Sequence, residues 1–187
     1  IVVLKFGGTS VGTIKKIKRV ADIIVKHKKK NYKVIVITSA MSGVTNELIK
    51  KSFEISANFS ESEHDVLVSS GEQMACSLIA GRLIHKGFKS RSWLAWQIPI
   101  FTKGIHKNSR INSIYKNKIL KYLKENGIPI IAGFQGINNQ ERITTIGRGG
   151  SDASAIMLAK FFKAQRCIIY TDVQGVYTTD PNRLKNA

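Results

Sequence analysis

The chain has 187 residues, 43% of them hydrophobic, and its 30 Lys+Arg against 12 Asp+Glu give a net charge of +18. That apolar share excludes a disordered chain, and the length predicts one domain that buries about 70% of its unfolded surface. No apolar run approaches the ~20 residues of a membrane helix, no secretory pattern opens the chain, and two distant cysteines, Cys76 and Cys167, argue against a disulfide scaffold or zinc ribbon. The expectation is a cytoplasmic protein with no membrane partner.

Residues 1–6 read as a buried strand, and Gly7-Gly8-Thr9-Ser10-Val11-Gly12 as a glycine-rich turn. Over 13–29, Ile14, Ile17, Val20, Ala21, Ile24 and Val25 recur at three- and four-residue spacing, which predicts an amphipathic helix with Thr13 as N-cap. Residues 14–33 hold nine basic residues against Asp22. They suit either an anionic or nucleic-acid surface or a solvated helix face, and nucleic acid is the less favoured partner. The run Lys33–Thr38 predicts a second buried, parallel strand, followed by a small-residue turn at Ser39–Val44 and helices over 45–57 and 63–86.

A short strand at 88–94 precedes an irregular stretch at 96–111. A helix over 112–126 ends near Gly127, expected as a left-handed cap. Residues 128–132 form another buried strand, and 133–150 a long loop with a short edge strand at 142–145. A helix over 151–164, a last buried strand at 167–171 and a turn with a short strand at Gln174–Tyr177 complete the order. This alternation predicts an α/β fold: a mostly parallel sheet with helices on both faces. Ligands then bind beyond the carboxyl ends of strands, at the turns after residues 6, 38, 132 and 171.

Four stretches carry chemistry. Lys5-Phe6-Gly7-Gly8-Thr9-Ser10 puts a lysine and two glycines at a strand-to-helix turn, as a phosphate site requires, although an ordinary turn with a solvated lysine has the same pattern. Gly147-Arg148-Gly149-Gly150-Ser151-Asp152 repeats the glycine turn and adds a guanidinium suited to anions; Asp152 serves either as a helix cap or as a partner of Lys5 or a metal. Thr171-Asp172 with Tyr177 and Asp180 suits a base and ribose, or is turn punctuation. Gly71 inside a helix demands a close approach, while Glu72 reads first as an exposed helical glutamate and second as a partner for a substrate ammonium.

Together KFGGTSVG from Lys5, Ser39-Ala40-Met41 with Thr45, Ser70-Gly71-Glu72, Gly133-Phe134-Gln135-Gly136, GRGGSDASA from Gly147 and TDVQGVYTTDP from Thr171 resemble the aspartokinases of the amino acid kinase family, in family order. The resemblance implies a three-layer αβα sandwich and transfer of the γ-phosphoryl of MgATP to the side-chain carboxylate of L-aspartate. That would be the first step towards lysine, threonine and methionine. It implies Lys5 and Asp152 as catalytic groups. Ser39, Thr45, Glu72, Phe134, Arg148 and Ser151 fall on the aspartate side. Lys5, Gly7, Gly8, Thr9, Ser10, Thr171, Asp172, Tyr177 and Asp180 fall on the nucleotide side, with no protein metal cluster. It further implies that residues 1–187 are an incomplete kinase domain without ACT regulatory domains, which leaves a homo-oligomer or a separate C-terminal piece open. An inactive or partner-dependent kinase-fold remnant is the alternative.

Overall fold

The computed structural model describes residues 1–147 and 149–171, and it begins with a strand buried at every position, β1 (Val2–Phe6). After a single helical turn, α1 (Gly8–Val11), comes α2 (Ile14–Lys29), where Thr13 Oγ1 accepts the Lys16 N–H at 3.2 Å as the expected N-cap. The next elements are β2 (Val34–Thr38), α3 (Val44–Ile55), the long α4 (Glu61–His85) and β3 (Ser90–Trp93). Then come β4 (Ile100–Lys103), β5 (Arg110–Ile114), α5 (Asn117–Lys124), β6 (Ile128–Ala132), β7 (Gln135–Ile137), β8 (Ile143–Thr145), α6 (Gly150–Phe161) and β9 (Arg166–Tyr170).

Among the described residues, five strands form one parallel sheet in the order β3-β6-β2-β1-β9. Alternation along each strand supplies two apolar faces. Val2, Leu4, Phe6, Val34, Val36, Ile128 and Ile130 pack under α2 and α4. Val3, Ile35, Ile37 and Ile131 face the other way, into a cluster with Ile119 and Leu123 of α5 and Ala155 and Leu158 of α6. The result is the predicted three-layer αβα arrangement. Among the described residues no helix is long and apolar enough to cross a membrane.

Three expectations change. The stretch taken as irregular, with the start of the following helix, is instead a hairpin: β4 and β5 pair antiparallel and join β7 and β8 in a second, mixed sheet. Ile111 and Ile114 have helical spacing, but pairing with β4 decides their conformation. The left-handed residue after α5 is Asn126 (φ 63°); Gly127 is required because a Cβ there would run into the Tyr122 ring. Last, β9 is largely exposed, because β1 is its one sheet neighbour among the described residues. The predicted strand at Gln174–Tyr177 lies outside the described residues.

The small sheet tolerates no added bulk at Gly136, where a Cβ would meet Thr102 Cγ2 and lie 2.7 Å from the Ile100 carbonyl oxygen. Gly136→Ala is expected to destabilise the protein by about 1–3 kcal/mol, read as a lower urea midpoint at unchanged slope.

Candidate active site

The predicted turns after residues 6, 38 and 132 and the described end of β9 are neighbours in space, because the strands end level. Phe6 pairs with Thr38 on one side and Tyr170 on the other, and Thr38 pairs with Ala132. Backbone bonds stitch the turns together: Ser39 N–H to Phe6 C=O at 3.1 Å, Gly133 N–H to Thr38 C=O at 3.0 Å, and Gly7 N–H to Tyr170 C=O at 3.1 Å. Such contact needs glycine: a Cβ on Gly8 would sit 3.0 Å from the Ala40 carbonyl oxygen.

Lys5, the penultimate residue of β1, is buried, and its Nζ lies 2.5 Å from Asp152 Oδ1. A Cβ on Gly7 would lie 3.4 Å from that ammonium, so the glycine leaves Nζ open to the turn. Asp152 is not the cap of α6. Gly149 holds that position at φ +74° and accepts the Asp152 N–H at 2.9 Å, which frees the half-exposed carboxylate for Lys5.

Two serines meet beside this pair, Ser39 Oγ donating to Ser151 Oγ at 2.8 Å. Phe134 borders them in a left-handed conformation (φ 63°), its N–H donating to Ser154 Oγ at 3.0 Å. Its ring takes the space a side chain on Gly150 would need, with a Cβ there only 2.7 Å from Cδ2.

Glu72 reverses the first reading made of it: it is 4% exposed, not solvated. A Cβ on Gly71 would fall 2.8 Å from Ala40 Cβ, so this glycine lets α4 press against the turn after β2. Glu72 Oε1 then accepts the Ala40 N–H at 3.0 Å, while the buried Oε2 has no hydrogen-bond partner. Burial raises the Glu72 pKa to about 7, and the Ala40 N–H only partly offsets it. An unpaired, buried carboxylate oxygen suits a ligand ammonium. Thr45 stands half-buried one residue beyond Val44, whose side chain packs against the Gly71 position.

On the opposite flank, Thr9, Ser10, Tyr170 and Thr171 line an open groove of about 310 Å³ that continues to Lys16 and Arg19 of α2. Ser10 Oγ donates to the Tyr170 carbonyl at 3.4 Å, and the Tyr170 ring stacks on Phe6 at 4.7 Å. Sequence reasoning gave no separate role to Tyr170, Ser154 or Ala40, although Ala40 and Ser154 lie inside the quoted motifs and Tyr170 ends a predicted strand. Arg148, Asp172, Tyr177 and Asp180 lie outside the described residues. Among the described residues no three His, Cys, Asp or Glu side chains gather as a metal site.

A parallel α/β sheet that gathers a buried lysine and two glycine turns at its carboxyl edge defines an α/β domain with an anion site at its strand ends. The Amino acid kinase family pattern matches residues 1–187, and the chain belongs to that family. It is 49% identical to an aspartokinase of Rickettsia conorii, over 100% of this chain and 47% of that protein, and 44% identical to aspartokinase 2 of Bacillus subtilis, over 100% and 46%. Among solved structures it resembles E. coli aspartokinase III in complex with aspartate and ADP, with a TM-score of 0.85 and 28% identity, covering 99% of this chain and 52% of that one. The chain therefore spans about half the length of the curated relatives it matches.

The raised Glu72 pKa has a signed consequence for stability. The carboxyl keeps its proton in the folded protein up to about pH 7, against an ordinary value of 4.5, so its charge opposes folding increasingly between those limits and fully above them. Relative to the wild type, Glu72→Gln should gain about 3 kcal/mol between pH 4 and pH 8, measured by urea unfolding at both.

Proposed function

We propose that this chain is the aspartate-binding and phosphoryl-transfer segment of an aspartate kinase, converting MgATP and L-aspartate to ADP and 4-phospho-L-aspartate. The observation that carries the reading is Glu72: a buried carboxylate oxygen without a partner, at the edge of a phosphate-type turn, calls for a substrate with its own ammonium. The first curated relatives matched by the chain are named aspartokinases, which supports the same substrate.

The nucleophile needs no general base, because the aspartate side chain, with a pKa of about 3.9, is already ionised. One of its oxygens forms the new bond to the γ-phosphorus as the bond to the β-phosphate oxygen breaks. What opposes the reaction is repulsion between two anions, so positioning and charge neutralisation carry the catalysis. Lys5 places a buried ammonium beside the Gly7–Ser10 turn, and Asp152 holds it there. Glu72 takes the substrate ammonium, and Ser39, Ser151, Thr45, Phe134 and Arg148 complete the aspartate side. Gly7, Gly8, Thr9, Ser10, Thr171, Asp172, Tyr177 and Asp180 complete the nucleotide side. Mg²⁺ supplies charge neutralisation on the phosphates when bound; it keeps several waters, and the half-exposed Asp152 offers the carboxylate that would hold it. A homo-oligomer and a cytoplasmic setting belong to the same proposal.

Incubation with MgATP, L-aspartate and hydroxylamine should give aspartyl hydroxamate, since hydroxylamine traps an acyl phosphate. Lys5→Ala should lose about 100-fold or more in kcat while aspartate binding survives. KM for aspartate should rise as pH falls below about 7, where Glu72 takes up its proton, and this dependence should vanish in Glu72→Gln. No hydroxamate from the wild type would favour the inactive or partner-dependent reading.

A further inference from the structure

The mechanism leaves a buried carboxyl group of α4 unused. Asp65 is fully buried, and among the described residues no lysine or arginine pairs with it. Its carboxylate is instead filled by donors from two separate segments. Thr145 donates its N–H to Oδ2 at 3.0 Å and its hydroxyl to Oδ1 at 2.6 Å. The Lys107 N–H reaches both oxygens at 3.1 Å, and His106 Nδ1 lies 2.7 Å from Oδ2. The carboxylate therefore bridges the end of β8 to the loop that joins β4 to β5.

Those segments also hold each other. Ser109 N–H donates to the Thr145 carbonyl at 3.0 Å, Ser109 and Ile146 form a bridge, and a Cβ on Gly147 would lie 2.5 Å from Asn108 Oδ1. Thr145 and Ile146 lead into the turn that opens α6, where Ser151 meets Ser39 and Asp152 meets Lys5. Asp65 also shares a helix face with Ser69, whose carbonyl accepts Gln135 Nε2 at 3.1 Å, and with Glu72, which accepts the Ala40 N–H. One face of α4 thus grips residues 106–107, Thr145, Gln135 and Ala40.

We infer that Asp65 is a positioning residue of the aspartate site: by clamping Thr145 and residues 106–107 it presets the turn at the start of α6 that receives the anionic substrate. The inference rests on the aspartate-kinase reading and adds to it a group that never touches substrate. An aspartate here costs desolvation, and a helix needing only packing would place an apolar residue at this position. The positions of Thr145 N–H, Thr145 O–H and Lys107 N–H call for an acceptor-only group, which an amide is not.

The test compares Asp65→Asn with the milder pair Thr145→Val and Thr145→Ser, in the full chain, by hydroxamate kinetics and by amide hydrogen exchange. Asp65→Asn and Thr145→Val should raise KM for L-aspartate about tenfold or more with kcat within about threefold, because Asp152 stays fixed by Lys5. Thr145→Ser, which keeps the hydroxyl, should restore the wild-type KM. Exchange should quicken at 105–109 and 143–151 and stay unchanged in β1 and β2. An active wild type whose KM is unmoved by Thr145→Val and Asp65→Asn overturns the inference and leaves the kinase reading intact. A wild type that makes no hydroxamate overturns the kinase reading, and unaltered exchange at 143–151 in both variants then overturns the clamp as well.

Discussion

A lysine buried at the end of a parallel strand has to be matched in charge, and the partner of Lys5 comes from the far end of the described chain. Removing water from an ammonium costs several kcal/mol unless a carboxylate takes its place. Asp152 meets that requirement, half-exposed at the start of α6, and the pair binds β1 to the helix that covers the sheet face shared by Val3 and Lys5. The rest of the site follows. With α6 held over the strand ends, Ser151 falls on Ser39, and Gly150 makes room for Phe134.

The two sides of the site solve different electrostatic problems. At the Gly7–Ser10 turn the protein presents positive charge and bare backbone, so small residues crowd the turns. Around Glu72 it keeps a carboxylate dry and partly unpaired. Glu72 is stable there only because one oxygen is bonded to Ala40 and the group is protonated until about pH 7. In the proposed reading a substrate ammonium would offset the cost of burying Glu72, so recognition and relief of buried charge would coincide.

Much of this was legible because it is written in backbone chemistry. Paired glycines at strand-to-helix junctions located the turns after β1 and before α6, while the lysine before the first pair fitted a solvated turn as well as an anion site. The parallel sheet followed from unbroken apolar runs. Glu72 was not legible, since the face a helix buries depends on which neighbour it meets; the sign was Gly71, whose missing side chain admits Ala40. The β4–β5 hairpin was lost because Ile111 and Ile114 fit a helix period as well as a strand, and the pairing that decides between them is distant in sequence. Asp65 was invisible for a related reason: its three bonding partners come from residues 106, 107 and 145.

The placement of β1 inside the sheet, between β2 and β9, also governs when the site comes into being. Contacts across its floor span 112 residues from Ser39 to Ser151 and 160 from Ser10 to Tyr170. Chain closure of that kind is slow, and ribosomes extend a chain at roughly 5–20 residues per second. During synthesis the phosphate turn is complete many seconds before the helix that supplies Asp152 emerges. The first strand therefore waits with an unmatched ammonium at its tip, which disfavours early burial and delays docking of β1 until its counter-charge exists.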